Sequence, residues 1–371
     1  MRILFMSGVD VGGAPKSTVE LARRLAERGH TVGIVLGRTG ETSSVYGHVL
    51  NASIKFRAMV GVNCLRPLLR PFGARISKDA VAGHDGVPLW RARRPENALQ
   101  KLLSVFSPDI VVVNSFPREQ MRWIHQDLHR AKIPMGVYLR EEHAVTHFTV
   151  SGLNPDLVLA NSKHLADAVR ATGRECMFAP SIIDVSAATV ESARRTVLLV
   201  NPVTENRPEI LRAVAARRPD IICVLQESWP LPAEDRTRLE KWVRAHENLE
   251  LRSPVPIPAD VYRDARILVA TYSTGRPRVV AEAQHNGIPV VGFDQSALVE
   301  AIGDGGILVH EGATETEWVE TITRLWDDKD RYTALSGRAR THAAREEIDP
   351  AAITSKVEQA LSGVVSEYSR T

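Results

Sequence analysis

Short, uninterrupted apolar runs alternate along this chain with segments in which apolar residues recur every three or four positions. The first run, residues 3–6, predicts a strand, and residues 8–13 form a glycine-rich loop. Apolar residues at helical spacing predict a helix over residues 17–28, which Gly29 ends, and residues 31–36 predict a second strand. Strand, helix and strand in this order predict a right-handed parallel unit of a doubly wound sheet.

The alternation continues through the first half of the chain. It predicts helix 96–106 with strand 110–114, helix 120–131 with strand 135–139, and strand 157–160 with helix 163–171. A second series begins near Arg195, with strands predicted at 197–200 and 221–226 and helices at 208–217 and 236–246. Repeated units of this kind place the chain in the α/β class.

The second series ends in the stretch from Arg278 to Val309. A helix of small and apolar residues at 279–283 is stopped by Asn286-Gly287, and a buried strand begins at residue 288. Glu282 is the one charge on this otherwise apolar helix segment. Beyond it, three helical segments are predicted at 314–326, 328–344 and 350–367.

These patterns predict two doubly wound, Rossmann-like domains that face each other across a cleft. We place the first domain at residues 1–188 and the second at residues 189–345. A C-terminal helical region at residues 346–371 is expected to return to the first domain. Ligands in such sheets bind at the carboxyl ends of strands, so the site is expected in the loops there.

Composition limits the class of protein. A net charge of +3 argues against bulk binding of nucleic acid, and the three cysteines, Cys64, Cys176 and Cys223, have no spacing typical of a disulfide framework or zinc site. No stretch reaches the roughly 18 apolar residues of a membrane span. The apolar run at the N-terminus is too short for a secretory signal. We therefore expect a cytoplasmic protein.

The glycine loop fits neither common nucleotide fingerprint. A Walker A loop needs Gly-Lys-Ser in succession, but Ala14-Pro15 separates Gly13 from Lys16-Ser17, and Gly8, Gly12 and Gly13 lack the G-x-G-x-x-G spacing. A glycine turn at a helix N-terminus favours an anion or a sugar hydroxyl. The alternative is a tight turn without a ligand.

Several segments together resemble the GT-B glycosyltransferases of family 4, which transfer a sugar from a nucleotide diphosphate with retention. The resemblance is carried by Gly12-Gly13-Ala14 with VELARRLAERGHTV, DLVLANSKHLADAV, VNPVTENRPEI, RVVAEAQHNGIPVVG and LVEAIGDGGILV. It covers nearly the whole chain and is most specific in the C-terminal part.

The resemblance implies a donor site. Glu282 matches the second glutamate of the family's E-x7-E motif and would accept the ribose hydroxyls; a solvent-exposed helix glutamate is the alternative. The first motif glutamate falls on Thr274, which puts the donor sugar and the activity itself in question. Ser296 and Ala297 stand where the family has a glycine pair near the donor. Glu300 would either cap a helix or bind.

A phosphate clamp is implied as well, with departures. The family's arginine and lysine align with Pro202 and Asn206, and Arg207 follows directly. Arg276 and Arg278 offer further cations, whose guanidinium groups can hold phosphate oxygens in pairs. Such a clamp would replace a metal ion, so neither a metal nor a cofactor is expected.

The first domain is expected to serve the acceptor. REEHAVTHF follows a predicted strand, and the resemblance makes His143 the candidate for contact with the reacting sugar or acceptor. His147 is the second choice, and Asn114 lies at another strand end where it could bind a hydroxyl; solvated or structural side chains are the alternatives for all three.

The acceptor is a glycan, a lipid-linked molecule or a small molecule on this interpretation. Residues 55–101 are basic, with apolar residues such as Leu65, Phe72 and Trp90 interleaved. Such a segment could lie on an anionic membrane, recognise an acidic acceptor or be a solvated insertion. The membrane option makes the protein peripheral to the membrane.

The sequence thus predicts a hexosyltransferase-type GT-B enzyme. Two alternatives stay open. One is a degenerate GT-B protein that binds a nucleotide without transferring sugar, motivated by Thr274 and the missing clamp residues. The other is a nucleotide-sugar 2-epimerase of similar architecture, which would need more acidic residues in the cleft than the sequence offers.

Overall fold

The computed structural model describes residues 1–37, 76–79, 87–92, 94–146, 153–272 and 275–370, with backbone alone for 76–79 and 143. Contacts divide the chain into two compact units. The first comprises Met1–Asn161, Leu165–Ala179 and Ile353–Thr371, and the second comprises Ser162–His164 and Pro180–Ala352. The sequence analysis predicted that the first domain ends at residue 188 and the second at residue 345.

The first unit is built on one sheet, which has eight strands among the described residues. They are β1 (Arg2–Ser7), β2 (Thr31–Gly37), β3 (Ile76–Asp79), β4 (Leu89–Ala92), β5 (Ile110–Asn114), β6 (Met135–Leu139), β7 (Leu157–Ala160) and β8 (Met177–Phe178). Their order is β3-β4-β2-β1-β5-β6-β7-β8, and the pairs are parallel except for the antiparallel β3 and β4. The strand order reverses between β1 and β5, so their carboxyl ends form a crevice.

Helices cover this sheet. They are α1 (Gly13–Glu27), α2 (Pro95–Phe106), α3 (Arg118–Ala131), α4 (Lys163–Arg170) and α13 (Pro350–Tyr368), and the first residues of α4 and α13 are assigned to the second unit. The residues of β1 from Ile3 to Ser7 and all of β5 are buried, because a parallel sheet covered on both faces leaves neither side of a strand in water. Their apolar runs therefore predicted the strands correctly.

Trp90 corrects one sequence expectation. It was assigned to a basic segment that could lie on a membrane surface, but it is buried in the core with its ring 5.7 Å from that of Phe106. Arg91 beside it forms an ion pair with Asp10, 3.1 Å away. Residues 55–75, 80–86 and 93 of the segment lie outside the described residues. No helix in the described ranges is long and apolar enough to cross a membrane.

The second unit has a six-stranded, fully parallel sheet among its described residues. Its strands are β9 (Thr196–Val200), β10 (Ile222–Gln226), β11 (Leu249–Arg252), β12 (Ala265–Ala270), β13 (Val290–Phe293) and β14 (Gly306–Val309). The order is β11-β10-β9-β12-β13-β14, so the strand order reverses between β9 and β12. A doubly wound α/β fold was predicted, and both sheets confirm it.

The helices of the second unit pack on both faces of this sheet. They are α5 (Val185–Ala188), α6 (Glu209–Arg217), α7 (Ala233–Ala245), α8 (Pro258–Tyr262), α9 (Arg278–His285), α10 (Ser296–Ile302), α11 (Glu315–Asp327) and α12 (Lys329–Ala343). Val280 and Ala283 of α9 are buried in the main core of the unit, together with Tyr262. This packing fixes α9, whose first residue, Arg278, follows the carboxyl end of β12.

Candidate functional site

Glu282 is a buried carboxylate. Its neighbours Val280 and Ala283 point into the core, and its own side chain keeps 11% of its surface exposed. The hydroxyl of Tyr262 donates a hydrogen bond of 2.6 Å to Glu282 Oε2, and Arg278 Nη2 lies 3.1 Å from Oε1. The structure therefore excludes the alternative that Glu282 is a solvent-exposed helix glutamate. It shows instead a carboxylate whose orientation is fixed.

Tyr262 holds Glu282 in place and was not found from the sequence. Burial raises the pKa of its hydroxyl well above the ordinary value, and the charge of Glu282 and its hydrogen bond raise it further. The hydroxyl therefore stays protonated and donates. Because each carboxylate oxygen accepts more than one hydrogen bond, Glu282 retains capacity for the hydroxyls of a ligand at its exposed edge.

Arg278, at the start of α9, has a guanidinium group that is only partly bonded. One nitrogen faces Glu282, whereas Nε and Nη1 are buried without a hydrogen-bond partner. Only 12% of the side chain is exposed. Buried guanidinium groups with unused donors are costly, and an oxyanion is the ligand that satisfies them best.

Arg276 lies two residues earlier and is also buried, with 7% of its side chain exposed. Its Nη1 is 3.8 Å from Glu300 Oε1. Glu300 Oε2 accepts hydrogen bonds from the backbone N–H groups of Lys163 (2.7 Å) and His164 (3.4 Å). Glu300 therefore caps a backbone segment and faces an arginine at the same time. Arg276 and Arg278, two of the three predicted phosphate arginines, thus have a carboxylate beside them.

The loop after β9 carries the other predicted clamp positions. Asn206 is buried and donates to the carbonyl of Asn201 at 2.7 Å, while its own carbonyl accepts from the hydroxyl of Thr271. Asn206 thus tightens the loop. Arg207 adopts φ 48°, its Nε lies 3.3 Å from Glu209 Oε1, and its guanidinium carbon lies 5.4 Å from the centre of the Phe293 ring.

Ser296 and Ala297 begin α10 directly after β13. Ser296 is exposed, whereas Ala297 is buried against the core. Their backbone thus lies at the carboxyl end of the sheet, where the sequence placed them. A donor-binding role for them stays a prediction.

His342 is a neutral imidazole beside this region. Arg345 Nη1 donates to its Nδ1 at 2.8 Å, so Nε2 carries the proton and donates to the carbonyl of Ala301 at 3.1 Å. Burial lowers its pKa below the ordinary value, and the charges of Arg345 and Arg276 lower it further. Backbone carbonyls of Ala301 and Glu300 oppose the shift without reversing it.

This environment predicts a pH dependence of stability. Below the ordinary histidine pKa of about 6.5 the unfolded chain binds the proton and the folded chain does not, so the free energy of unfolding falls as pH drops from about 6.5 towards the lower folded pKa. Urea unfolding at about pH 7.5 and about pH 5.5 measures it. Because His285 is shifted in the same direction, His342→Gln is expected to weaken the dependence without removing it. An identical dependence in the variant would contradict this assignment.

The glycine loop of the first unit starts α1 earlier than predicted. Gly12 has φ 101° and ψ −172° at the N-cap, a conformation that favours glycine, and the helix begins at Gly13 rather than Ser17. A side chain at Gly12 would meet open space. Binding of an anion or a hydroxyl at this turn stays a prediction.

Asn114 and Arg140 lie at the carboxyl edge of the same sheet. Asn114 is buried, and its Nδ2 donates to Thr18 Oγ1 at 3.2 Å, whereas its Oδ1 has no hydrogen-bond partner. Arg140 is also buried; it donates to Ser17 Oγ at 3.2 Å and stacks on the ring of Tyr138 at 3.6 Å. The sequence did not single out Arg140, since nothing in the pattern marks a strand-end arginine as buried.

Three predicted residues cannot be placed. His147, Thr274 and the side chain of His143 lie outside the described residues; the backbone of residue 143 lies in the 3-10 helix Glu142–Val145. Their roles stay predictions. In the described part of the chain, no group of three or more histidine, cysteine, aspartate or glutamate side chains could hold a metal ion.

Known families match part of this chain. Residues 209–328 match the model described as "Glycosyl transferases group 1". D-inositol 3-phosphate glycosyltransferase of Corynebacterium kroppenstedtii is 39% identical over 90 residues, which are 24% of this chain and 20% of the relative. The enzyme of the same name from Thermobispora bispora is 37% identical over 100 residues, 26% and 23% of the two chains. The matches span only about a fifth of the relatives' length.

Solved structures match along the whole chain. Anabaena HepE in complex with UDP-glucose has a TM-score of 0.71 at 16% identity, covering 98% of this chain and 100% of the other. Sucrose-phosphate synthase from Thermosynechococcus elongatus has a TM-score of 0.74 at 14% identity, covering 99% and 100%. At these identities the similarity shows the fold, and it is the fold that the sequence predicted.

Proposed function

We propose that this chain, which has the GT-B fold and carries a group 1 glycosyltransferase region at residues 209–328, transfers a sugar from a nucleotide diphosphate donor to an acceptor. The observation that carries the proposal is the fixed carboxylate of Glu282. It is buried between Tyr262 and Arg278, next to a guanidinium group with unused donors. A carboxylate for hydroxyls beside a cation for phosphates is what a nucleotide diphosphate requires.

Glu282 is proposed to accept the ribose hydroxyls of the donor. Its two oxygens each have one partner, and the remaining lone pairs can accept two neighbouring hydroxyls. Tyr262 fixes the orientation of the carboxylate before the donor binds, so little conformational freedom is lost on binding.

Arg278, Arg276 and Arg207 are proposed to neutralise the diphosphate. Arg278 carries the strongest support, because its Nε and Nη1 are buried without partners. Cations at the leaving diphosphate lower the barrier to transfer, since negative charge builds up there as the sugar departs. We propose that this chemistry retains the anomeric configuration and uses these arginines in place of a metal. Thr274, Ser296 and Ala297 are proposed to lie along the donor.

UDP-sugars are the first donors to test, because HepE of Anabaena is similar in fold and was solved with UDP and with UDP-glucose. The first unit, taken by itself, offers the Gly12–Gly13 turn for an anion or hydroxyl. Its His143 is proposed to contact the reacting sugar, and Asn114 and His147 the acceptor. The acceptor is a glycan, a lipid-linked molecule or a small molecule, and a cytoplasmic or membrane-peripheral location suits each.

A second candidate function is nucleotide binding without transfer. Thr274 stands where the family has a glutamate that contacts the transferred sugar, and all three proposed phosphate arginines face carboxylates. A nucleotide-sugar epimerase is the third candidate. It needs acidic residues around the sugar, and the described residues provide mainly Glu282 and Glu300 there, each already bonded.

A panel of UDP-, GDP- and dTDP-sugars separates these functions. We expect one nucleotide class to bind and its sugar to be hydrolysed slowly in water, with release of the nucleoside diphosphate. Hydrolysis is the appropriate readout because it needs no known acceptor. Binding of a nucleotide without turnover would favour the degenerate protein, and a change in the donor sugar without release of nucleotide would favour the epimerase. Failure to bind any of the nucleotides would overturn the proposal.

A further inference from the structure

Three arginines converge at the amino-terminal edge of the second sheet, away from the carboxyl ends that carry the donor site. Arg194 comes just before β9, Arg266 is the second residue of β12, and Arg340 lies on α12. Thr196 of β9 and Ala265 of β12 are register partners, so Arg194 and Arg266 start neighbouring strands. None of the three arginines has a part in the proposed transfer.

Arg194 and Arg340 share one acceptor. Nη2 of Arg194 donates to the carbonyl of Asn286, and Nη2 of Arg340 donates to the same oxygen at 3.4 Å. The guanidinium of Arg340 lies so close to Gly287 that a Cβ there would overlap it. Gly287 has φ 62°, which favours glycine, and the missing side chain is the space that Arg340 occupies.

Arg266 lies between two aromatic rings. Its guanidinium carbon is 3.9 Å from the centre of the Tyr332 ring and 5.2 Å from that of Trp326. The hydroxyl of Tyr332 donates to the carbonyl of Arg266 at 3.2 Å. Nη2 of Arg266 donates to the carbonyl of Trp326 at 3.2 Å. The rings and this carbonyl fix the orientation of the cation but carry no net negative charge.

The cluster lacks a counter-charge. Across the described ranges, no carboxylate lies within ion-pair distance of these arginines, whereas most other arginines of the unit have one. Nη1 of Arg194 and Nε of Arg266 are buried without a hydrogen-bond partner. Burial lowers the pKa of Arg194, and the charges of Arg340 and Arg266 lower it further. Tyr332 alone acts in the opposite direction.

A structural explanation accounts for only part of this arrangement. Cations near the C-terminus of a helix are favourable, and the Asn286 carbonyl follows the end of α9. One arginine suffices for that carbonyl. The second guanidinium on the same oxygen, and the third beside them, add repulsion that a helix cap does not require.

We propose that Arg194, Arg266 and Arg340 form a binding site for a phosphoryl group, as inorganic phosphate or a phosphate monoester. A phosphate dianion offers several acceptor oxygens and the missing negative charge, and planar guanidinium groups bind it in pairs. Arg340 is the exposed arginine of the three, so the anion enters from its side of the cluster. The proposal is independent of the proposed function.

Phosphate titration of the full chain tests the site. Because phosphate could also occupy the donor site, all proteins carry Arg278→Gln, and chloride at matched ionic strength is the reference salt. We expect phosphate to raise the unfolding temperature well above the effect of chloride, with saturation. Arg340→Gln is expected to weaken phosphate affinity at least about tenfold, a loss on the order of one charged hydrogen bond.

Arg331→Gln is the matched control. Arg331 lies on the same helix and is exposed, and its side chain forms no hydrogen bond or ion pair within the described residues. The substitution therefore removes one positive charge without touching the cluster. It is expected to bind phosphate like the parent protein. Arg340→Lys, which keeps the charge but loses the planar fork, serves if the glutamine variant does not fold, and intermediate affinity is expected.

Two further titrants identify the source of the phosphoryl group. Glycerol phosphate represents a soluble monoester, and vesicles containing phosphatidylglycerol represent a lipid headgroup. We expect the cluster to bind the soluble monoester; Arg340-dependent binding to vesicles alone would overturn this part of the proposal. An equal rise of the unfolding temperature in phosphate and chloride, or an unchanged phosphate affinity in Arg340→Gln, would overturn the proposed site. The arginines would then serve only to cap the end of α9.

Discussion

Replacement of Glu282 by glutamine is expected to weaken the binding of UDP by about 10- to 100-fold, which corresponds to about 1.5–3 kcal/mol for hydrogen bonds to a charged group. Glutamine keeps the shape of the side chain but removes the charge and one acceptor. The same change leaves the buried Arg278 without its carboxylate. Titration calorimetry of the wild-type and variant proteins with UDP measures the difference.

Two controls isolate the role of the carboxylate. Glu240→Gln replaces an exposed glutamate of α7 whose side chain forms no hydrogen bond or ion pair with the residues that the structure describes. It changes the net charge alone and should leave the UDP affinity unchanged. Tyr262→Phe keeps the carboxylate but removes the hydroxyl that fixes it, and a smaller loss of affinity is expected. Unchanged UDP affinity in a Glu282→Gln protein with native circular dichroism would rule out the ribose role.

Gly303→Ala is expected to lower the free energy of unfolding by about 2–5 kcal/mol, the sum of backbone strain and overpacking. Gly303 has φ 46° and ψ −140° at the end of α10, a conformation that side chains disfavour. An added Cβ would also overlap the ring of His342. Because His342 bonds to Ala301 and Arg345, it cannot move away without breaking those contacts.

Gly337→Ala provides the matched control for urea unfolding of this variant. Gly337 lies within α12, and a Cβ there would meet nothing within 4 Å. Alanine is expected to stabilise the chain by up to about 1 kcal/mol, because it favours the helix and restricts the unfolded chain. Similar stabilities of the two variants would show that the Gly303 conformation imposes no requirement for glycine.

The sequence predicted most of the fold because parallel strands and amphipathic helices have strong patterns. Strands β5, β6 and β7 begin and end at the predicted residues, since each is a largely apolar run in a covered sheet. The start of α1 was predicted four residues too late. Pro15 and two glycines read as a loop, yet proline is compatible with the first turn of a helix.

The candidate site was predictable only in part. Glu282 could be identified because a single charge on an apolar helix is conspicuous and matches a family motif. Its partner Tyr262 lies 20 positions earlier, on a different helix, so the contact depends on tertiary packing that no local pattern reports. For the same reason, the sequence did not predict the carboxylates that face Arg276 and Arg278. It also did not predict the burial of Arg140 and Trp90.

The central claim is that the second unit binds a nucleotide diphosphate at the start of α9. Hydrogen exchange of the full chain with and without saturating UDP tests it most directly, because protection of backbone amides locates the ligand. We predict slower exchange in α9, at Arg278–His285, and in α10, at Ser296–Ile302. Protection confined to other segments, or no protection under conditions that saturate a nucleotide site, would contradict the account.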